Sequence, residues 1–157
     1  MDEHGAEDTG LTATDVRRLD TLCWRALKNQ TISRSKVGQE PRLYCRVEYA
    51  EESFHLGGLD RDLELDSERS EPEEALRTVR DLAVDIGGFV ERLENASDQI
   101  EQVRVVASDV LQLSHGDKVG GPEVLYEALR ERLGEDTVEV VNVYDAYPDT
   151  LPESDTE

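Results

Sequence analysis

The run Gln102-Val103-Arg104-Val105-Val106-Ala107-Ser108-Asp109-Val110-Leu111-Gln112-Leu113-Ser114 decides the fold. Its odd positions read Val103, Val105, Ala107, Asp109, Leu111 and Leu113; its even ones read Arg104, Val106, Ser108, Val110, Gln112 and Ser114. A period of two suits a pleated strand, whose side chains alternate between faces. The pattern predicts a long strand bent near Asp109, whereas a helix over the same residues would give another topology. Downstream, His115-Gly116-Asp117 turns the chain. Pro122 then opens a short helix that Gly134 closes, with Val124, Leu125, Ala128, Leu129 and Leu133 facing inward. Thr137 to Tyr144 is a final β-rich run, so that the last β–α–β unit can form a right-handed parallel crossover.

Upstream, Ser70-Glu71-Pro72-Glu73 offers a cap, a first-turn proline and a capping-box glutamate. Leu76, Val79, Leu82, Ala83, Ile86, Phe89, Val90 and Leu93 then predict a long amphipathic helix to about Glu94, with Gly87-Gly88 inside it. Leu43 to Tyr49 alternates as a strand. Phe54-His55-Leu56 begins its return, and Leu59 to Asp66 resumes the alternation after Gly57-Gly58, giving a hairpin or a three-stranded meander. Thr12 or Thr14 caps a helix over about 14–29 whose stripe is Val16, Leu19, Leu22, Cys23, Ala26 and Leu27; residues 30–41 form an exposed loop. The expected fold is α/β (α+β), a small mixed sheet of four to five strands with helices mainly on one face, in the order α-β-β-α-β-α-β. Acidic tails at 1–11 and 148–157 flank a single domain over 12–147.

Across 157 residues there are 17 Lys+Arg against 37 Asp+Glu, a formal charge of −20. Collagen, a cysteine scaffold and a membrane span are excluded by composition, and a general nucleic-acid coat by the sign of the mean surface. Arginines outnumber lysines 14 to three, and the acids are dispersed. That composition resembles proteins of extreme halophiles, where molar salt screens self-repulsion. The N-terminus shows no export signal, which places the chain in the cytoplasm or inside a virion. Cys23 and Cys45, each beside an aromatic, are expected as buried free thiols.

Against this background residues 16–47 hold eight basic side chains and two acids, +6 where the rest of the chain carries −26. The segment either is neutralised within the chain, or docks on the acidic surface of another copy, or meets nucleic-acid phosphate, with Arg17, Arg18, Arg34, Lys36 and Arg42 as its contacts.

Other candidates read as structure. Asp60, Asp62, Glu64 and Asp66 alternate with Leu63 and Leu65 but lack the glycine and closing glutamate of a calcium loop, so they read as a solvated strand face. His115 with Asp117, near Ser108 or Ser114, does not build a triad at that spacing, and His55 and His4 are no better placed. Gly57-Gly58, Gly87-Gly88 and Gly120-Gly121 match no phosphate-binding fingerprint. No catalytic residue, metal or cofactor is therefore assigned.

Two functions fit: a non-enzymatic assembly or adaptor protein that associates with itself, and a small nucleic-acid-associated factor using the basic segment. The element order over residues 12–145 resembles tail-completion (terminator) proteins of tailed viruses. That resemblance implies a ring-forming virion subunit whose basic segment meets its neighbour's acidic surface.

Overall fold

The computed structural model describes residues 41–51 and 53–140, together with scattered positions between 10 and 26. The chain divides into a unit of residues 42–141 and a second of residues 1–41 and 142–157. In the second unit, the described positions 14, 15, 20, 22–24 and 26 are helical. Thr12 caps them: its hydroxyl accepts from Asp15 N at 3.3 Å while the Asp15 carboxylate takes Thr12 N at 2.9 Å. The expected apolar stripe is displaced, because Leu22, Cys23 and Ala26 are exposed while Asp20 and Trp24 are buried. A periodic run of mixed residues allows more than one stripe, and burying the indole removes more apolar surface than Leu22 and Ala26 each offer. The loop expected at 30–41 falls, but for Pro41, outside the described residues.

The 42–141 unit is mixed α+β, with seven short strands in two sheets. The strands are β1 (Leu43–Tyr49), β2 (Glu64–Asp66), β3 (Ala83–Asp85), β4 (Ile100–Ala107), β5 (Gln112–His115), β6 (Lys118–Gly120) and β7 (Val138–Val140). The two α-helices described in it are α1 (Gly87–Asn95) and α2 (Glu123–Leu133). One sheet runs β1-β4-β7, antiparallel then parallel; the other runs β2-β3-β5-β6, with only β3-β5 parallel.

The deciding run is strand throughout except where Asp109 bends it. β4 ends at Ala107, a turn spans residues 108–111, and β5 enters the other sheet. The sheet β1-β4-β7 turns Leu43, Cys45 and Val47 toward Ala107, Val105 and Val103 on the core side. Phe89, Val90 and Leu93 of α1 and Val124, Leu125, Ala128 and Leu129 of α2 join the same core. Each of these Phe, Val and Leu side chains, fully buried, stabilises by roughly 1.5–3 kcal/mol. The helices pack on one another, and α2 also on β5, β6 and β7. Pro122 and Gly134 bound α2 as expected; Gly134 lies at φ 98° and ψ 150°, a region essentially closed to side chains.

Three expectations are corrected. Strand β1 does not fold back on residues 54–66; it pairs with β4, and the Leu59–Asp66 stretch is a 3-10 turn (Leu59–Asp62) followed by β2. The helix expected over 72–94 begins only at Gly87, with Gly87-Gly88 at its start. Residues 73–81 hold two 3-10 turns, Glu73–Ala75 and Val79–Asp81, and 83–85 is a strand. Ser70 explains this: its hydroxyl donates to Asp66 O at 2.6 Å and accepts from Ala83 N at 2.9 Å, closing a β2–β3 connection that a continuous helix cannot make. The strands also divide between two sheets where one was expected, because β5 leaves β4 at the Asp109 bend.

Candidate nucleic-acid interface

Phosphate is bound by cations that carboxylates have not already neutralised, so the site is sought by following each basic side chain to its partner. Arg17, Arg18, Arg34 and Lys36 lie outside the described residues. Arg42 is half-buried at the start of β1. Its Nη1 is 3.4 Å from Ser108 Oγ, and its carbonyl accepts from Ser108 N at 2.7 Å, so the bend after β4 anchors it.

In the 42–141 unit, 11 Lys+Arg face 25 Asp+Glu, a net −14. Seven of these cations make ion pairs with carboxylates of the described residues. Arg46 pairs with Glu48, and Arg69 meets Asp66 at 2.8 Å and Arg92 Asp62 at 2.7 Å. Arg104 lies 3.7 Å from Glu139, Lys118 3.3 Å from Glu127, Arg130 3.8 Å from Glu135 and Arg132 2.9 Å from Glu94. Arg46 and Arg104 are directly opposed across β1 and β4, yet their side chains are only 19% and 14% exposed. Neither is placed to receive a phosphate from solvent.

Arg61, Arg77 and Arg80 are exposed and have no carboxylate of the described residues within 4 Å. Arg80 lies within the Val79–Asp81 turn and Arg77 just before its cap, Thr78; a capping box fixes the turn. Thr78 Oγ1 accepts from Arg80 N at 3.3 Å, while Asp81 Oδ2 accepts from Arg77 N at 2.8 Å and Thr78 N at 2.6 Å. Those backbone donors hold the Asp81 carboxyl below the usual carboxylate range. Sequence reading did not single out either arginine, because it took the stretch as one continuous amphipathic helix.

The discounted chemistry resolves into structural bonds. Asp60 and Asp62 sit on the 3-10 turn, Glu64 and Asp66 on β2, so the four carboxylates do not share one strand face, and Leu65 is 58% exposed. A 3-10 turn in place of pleated strand is what breaks the alternation. Buried Ser114 of β5 donates to Asp66 Oδ2 of β2 at 2.6 Å, across the intervening strand β3. Arg69 adds a second donor to Asp66 and bonds Gly116 O at 2.9 Å. With Ser114 the first cause and Arg69 the second, the Asp66 carboxyl is held at about 2. A carboxylate so stabilised is a poor base, and the serine beside His115 is committed to it.

His115 lines a groove of about 420 Å³ with Asp85, Glu91, Glu94 and Arg132, and Arg132 is already bonded to Glu94. Its surplus of acid repels phosphate. Among the described residues no group of three or more His, Cys, Asp or Glu is arranged to hold a metal ion. Cys23 and Cys45 are free thiols, but Cys23 is exposed, against expectation, on the outward side of its helix. Burial pushes the Cys45 thiol up to about 12, which leaves it unreactive.

The chain is similar to the CRISPR-associated protein Cas7 of Haloferax volcanii. The two are 50% identical over 140 residues, 89% of this chain and 40% of that protein. The chain thus spans less than half the length of the curated relative it matches. No protein-family model matches it.

This finding overturns the resemblance to viral tail-completion proteins. Element order and size can be shared by unrelated chains, whereas half-identity over most of a chain cannot arise from shared architecture alone. The ring-forming tail subunit and the virion setting fall with it. The halophilic, archaeal character read from the acid excess fits the source of the relative. Among the described residues no helix is long and apolar enough to cross a membrane.

Proposed function

We propose that this chain is a nucleic-acid-associated, RNA-binding subunit of a CRISPR–Cas interference complex, acting by binding and not by catalysis. The observation that carries the reading is the 50% identity to a CRISPR-associated Cas7 over 89% of the chain. The charge distribution supports it. A chain of net −20 that concentrates +6 in residues 16–47 offers RNA its main attractive stretch there, against an acidic mean surface. In this reading Arg17, Arg18, Arg34, Lys36 and Arg42 contact phosphate. The acid-rich 42–141 unit takes protein partners, further copies of this chain among them, in the cytoplasm.

The test is purification of the chain from a haloarchaeal host in high KCl, followed by nuclease digestion of whatever nucleic acid accompanies it. The expected result is RNA, lost from an Arg34→Glu, Lys36→Glu double variant that keeps the wild-type circular dichroism. A wild-type protein that co-purifies with no RNA and binds none when it is added would overturn the reading.

A further inference from the structure

We propose that Arg77 and Arg80, on the capped turn before β3, form a second RNA-phosphate contact separate from the basic segment; this rests on the RNA-binding reading above. Carboxylates outnumber cations 25 to 11 in the 42–141 unit, so a guanidinium meets a carboxylate by default, and seven of the eleven cations do. Arg77 and Arg80, three residues apart in sequence, depart from that default, as Arg61 does elsewhere: none has a described carboxylate within 4 Å. The carboxylate that could neutralise them, Asp81, is turned onto the backbone N–H groups of Arg77 and Thr78.

The turn itself is fixed, which lowers the entropy lost when a ligand is gripped. Thr78 and Asp81 lock its backbone through the capping box, and Glu71 N donates to Asp81 O at 2.8 Å, tying the turn to the strand connection beneath it. Arg77 spends one donor on its own Leu76 carbonyl at 2.6 Å, leaving four of the five guanidinium N–H groups. Both side chains are exposed. Glu71, Glu73 and Glu74 stand in the same connection, so the surrounding field is acidic and limits what the contact adds to a several-fold gain in affinity. A protein carboxylate would satisfy the same two guanidiniums. RNA is favoured because the reading above already brings RNA to this chain, and two exposed guanidiniums with no described carboxylate within 4 Å offer their charge to its phosphates.

The experiment measures anisotropy of a fluorescein-labelled oligouridine with the full chain across a KCl titration. Arg77→Gln, Arg80→Gln is compared with Lys118→Glu, which changes the net charge equally at an exposed cation already paired with Glu127. The expected result is a several-fold loss of affinity in the arginine variant. The slope of log K against log[KCl] should fall by about 1.4, or about 0.7 for each phosphate on a single strand. Lys118→Glu should leave the slope unchanged, and in concentrated KCl thermal melting should match across all three proteins. Equal effects of the two variants, or a change in sedimentation mass with RNA binding intact, would overturn the inference while leaving the RNA-binding reading standing. Absence of binding by the wild-type chain would overturn both.

Discussion

At the scale of single residues, the bond between Ser114 and Asp66 shows how an acid-rich chain keeps one carboxylate for its interior frame. Ser114 is 1% exposed, and its hydroxyl has nowhere to turn but Asp66 Oδ2. Ser114→Ala removes that donor without adding bulk and should destabilise the fold by about 1–3 kcal/mol. Chemical denaturation of the two proteins in concentrated KCl measures the difference, and a variant as stable as wild type would show the bond to be idle. The pH dependence follows from the same contact. Asp66 ionises at about 2 in the fold and near 3.8 when unperturbed. Its share of the stability is therefore complete above pH 4 and is lost as pH falls toward 2. Asp81, also lowered, adds to the same acid limb. Asp66→Asn should lower the melting temperature at neutral pH and flatten its decline between pH 4 and 2. An acid limb of unchanged slope in that variant would assign the loss to other carboxylates.

Among elements, what could be read from sequence depended on whether the signal was local. Helix α2 was legible at both ends, since Pro122 and Gly134 act through their own backbone geometry. Gly134 occupies a conformation that only glycine takes without strain, so Gly134→Ala should cost about 1–3 kcal/mol and fray the last turn of α2. Amide hydrogen exchange over residues 129–134 reads that fraying directly, and unchanged protection there would contradict it. Strands β1 and β4 were legible as strands, because period-two patterning records which face is buried. Their pairing was not: the partner of Leu43 is Ala107, and no local rule spans that separation. The stretch from Leu76 to Ile86 misled for another reason. Apolar residues three apart satisfy a helix, but they also satisfy successive 3-10 turns, which have three residues per turn. Thr78 and Asp81 then bond the backbone themselves and so compete with helix propagation. As for the site, Arg42 lies in the described unit where sequence put it, beside β1. Arg77 and Arg80 could be noticed only once the carboxylates of their neighbours had been traced.

For the molecule as a whole, the question is which electrostatic effect prevails in the 42–141 unit. The seven ion pairs among its described residues engage seven of its 25 carboxylates; Lys118–Glu127, Arg130–Glu135 and Arg132–Glu94 are exposed at both ends, so each of these contributes about 0–1 kcal/mol and weakens with salt. The net −14 acts in the opposite direction, as repulsion summed over the whole surface. Raising ionic strength from about 0.1 M to about 1 M shortens the Debye length from about 10 Å to about 3 Å. That is too short for repulsion between dispersed surface acids, whereas pairs in contact at 2.7–2.9 Å keep part of their attraction. Repulsion is therefore screened more than attraction, and the melting temperature should rise with KCl. Screening can be separated from a general salting effect by changing the charge instead of the salt. Replacing exposed Glu71, Glu73 and Glu74 with Gln removes three negative charges that hold no ion pair with a described residue. The triple variant should melt higher than wild type in dilute buffer and converge with it in concentrated KCl. Parallel curves, offset equally at every salt concentration, would mean that the acids act through hydration or local structure, and that the −14 is not what the salt relieves.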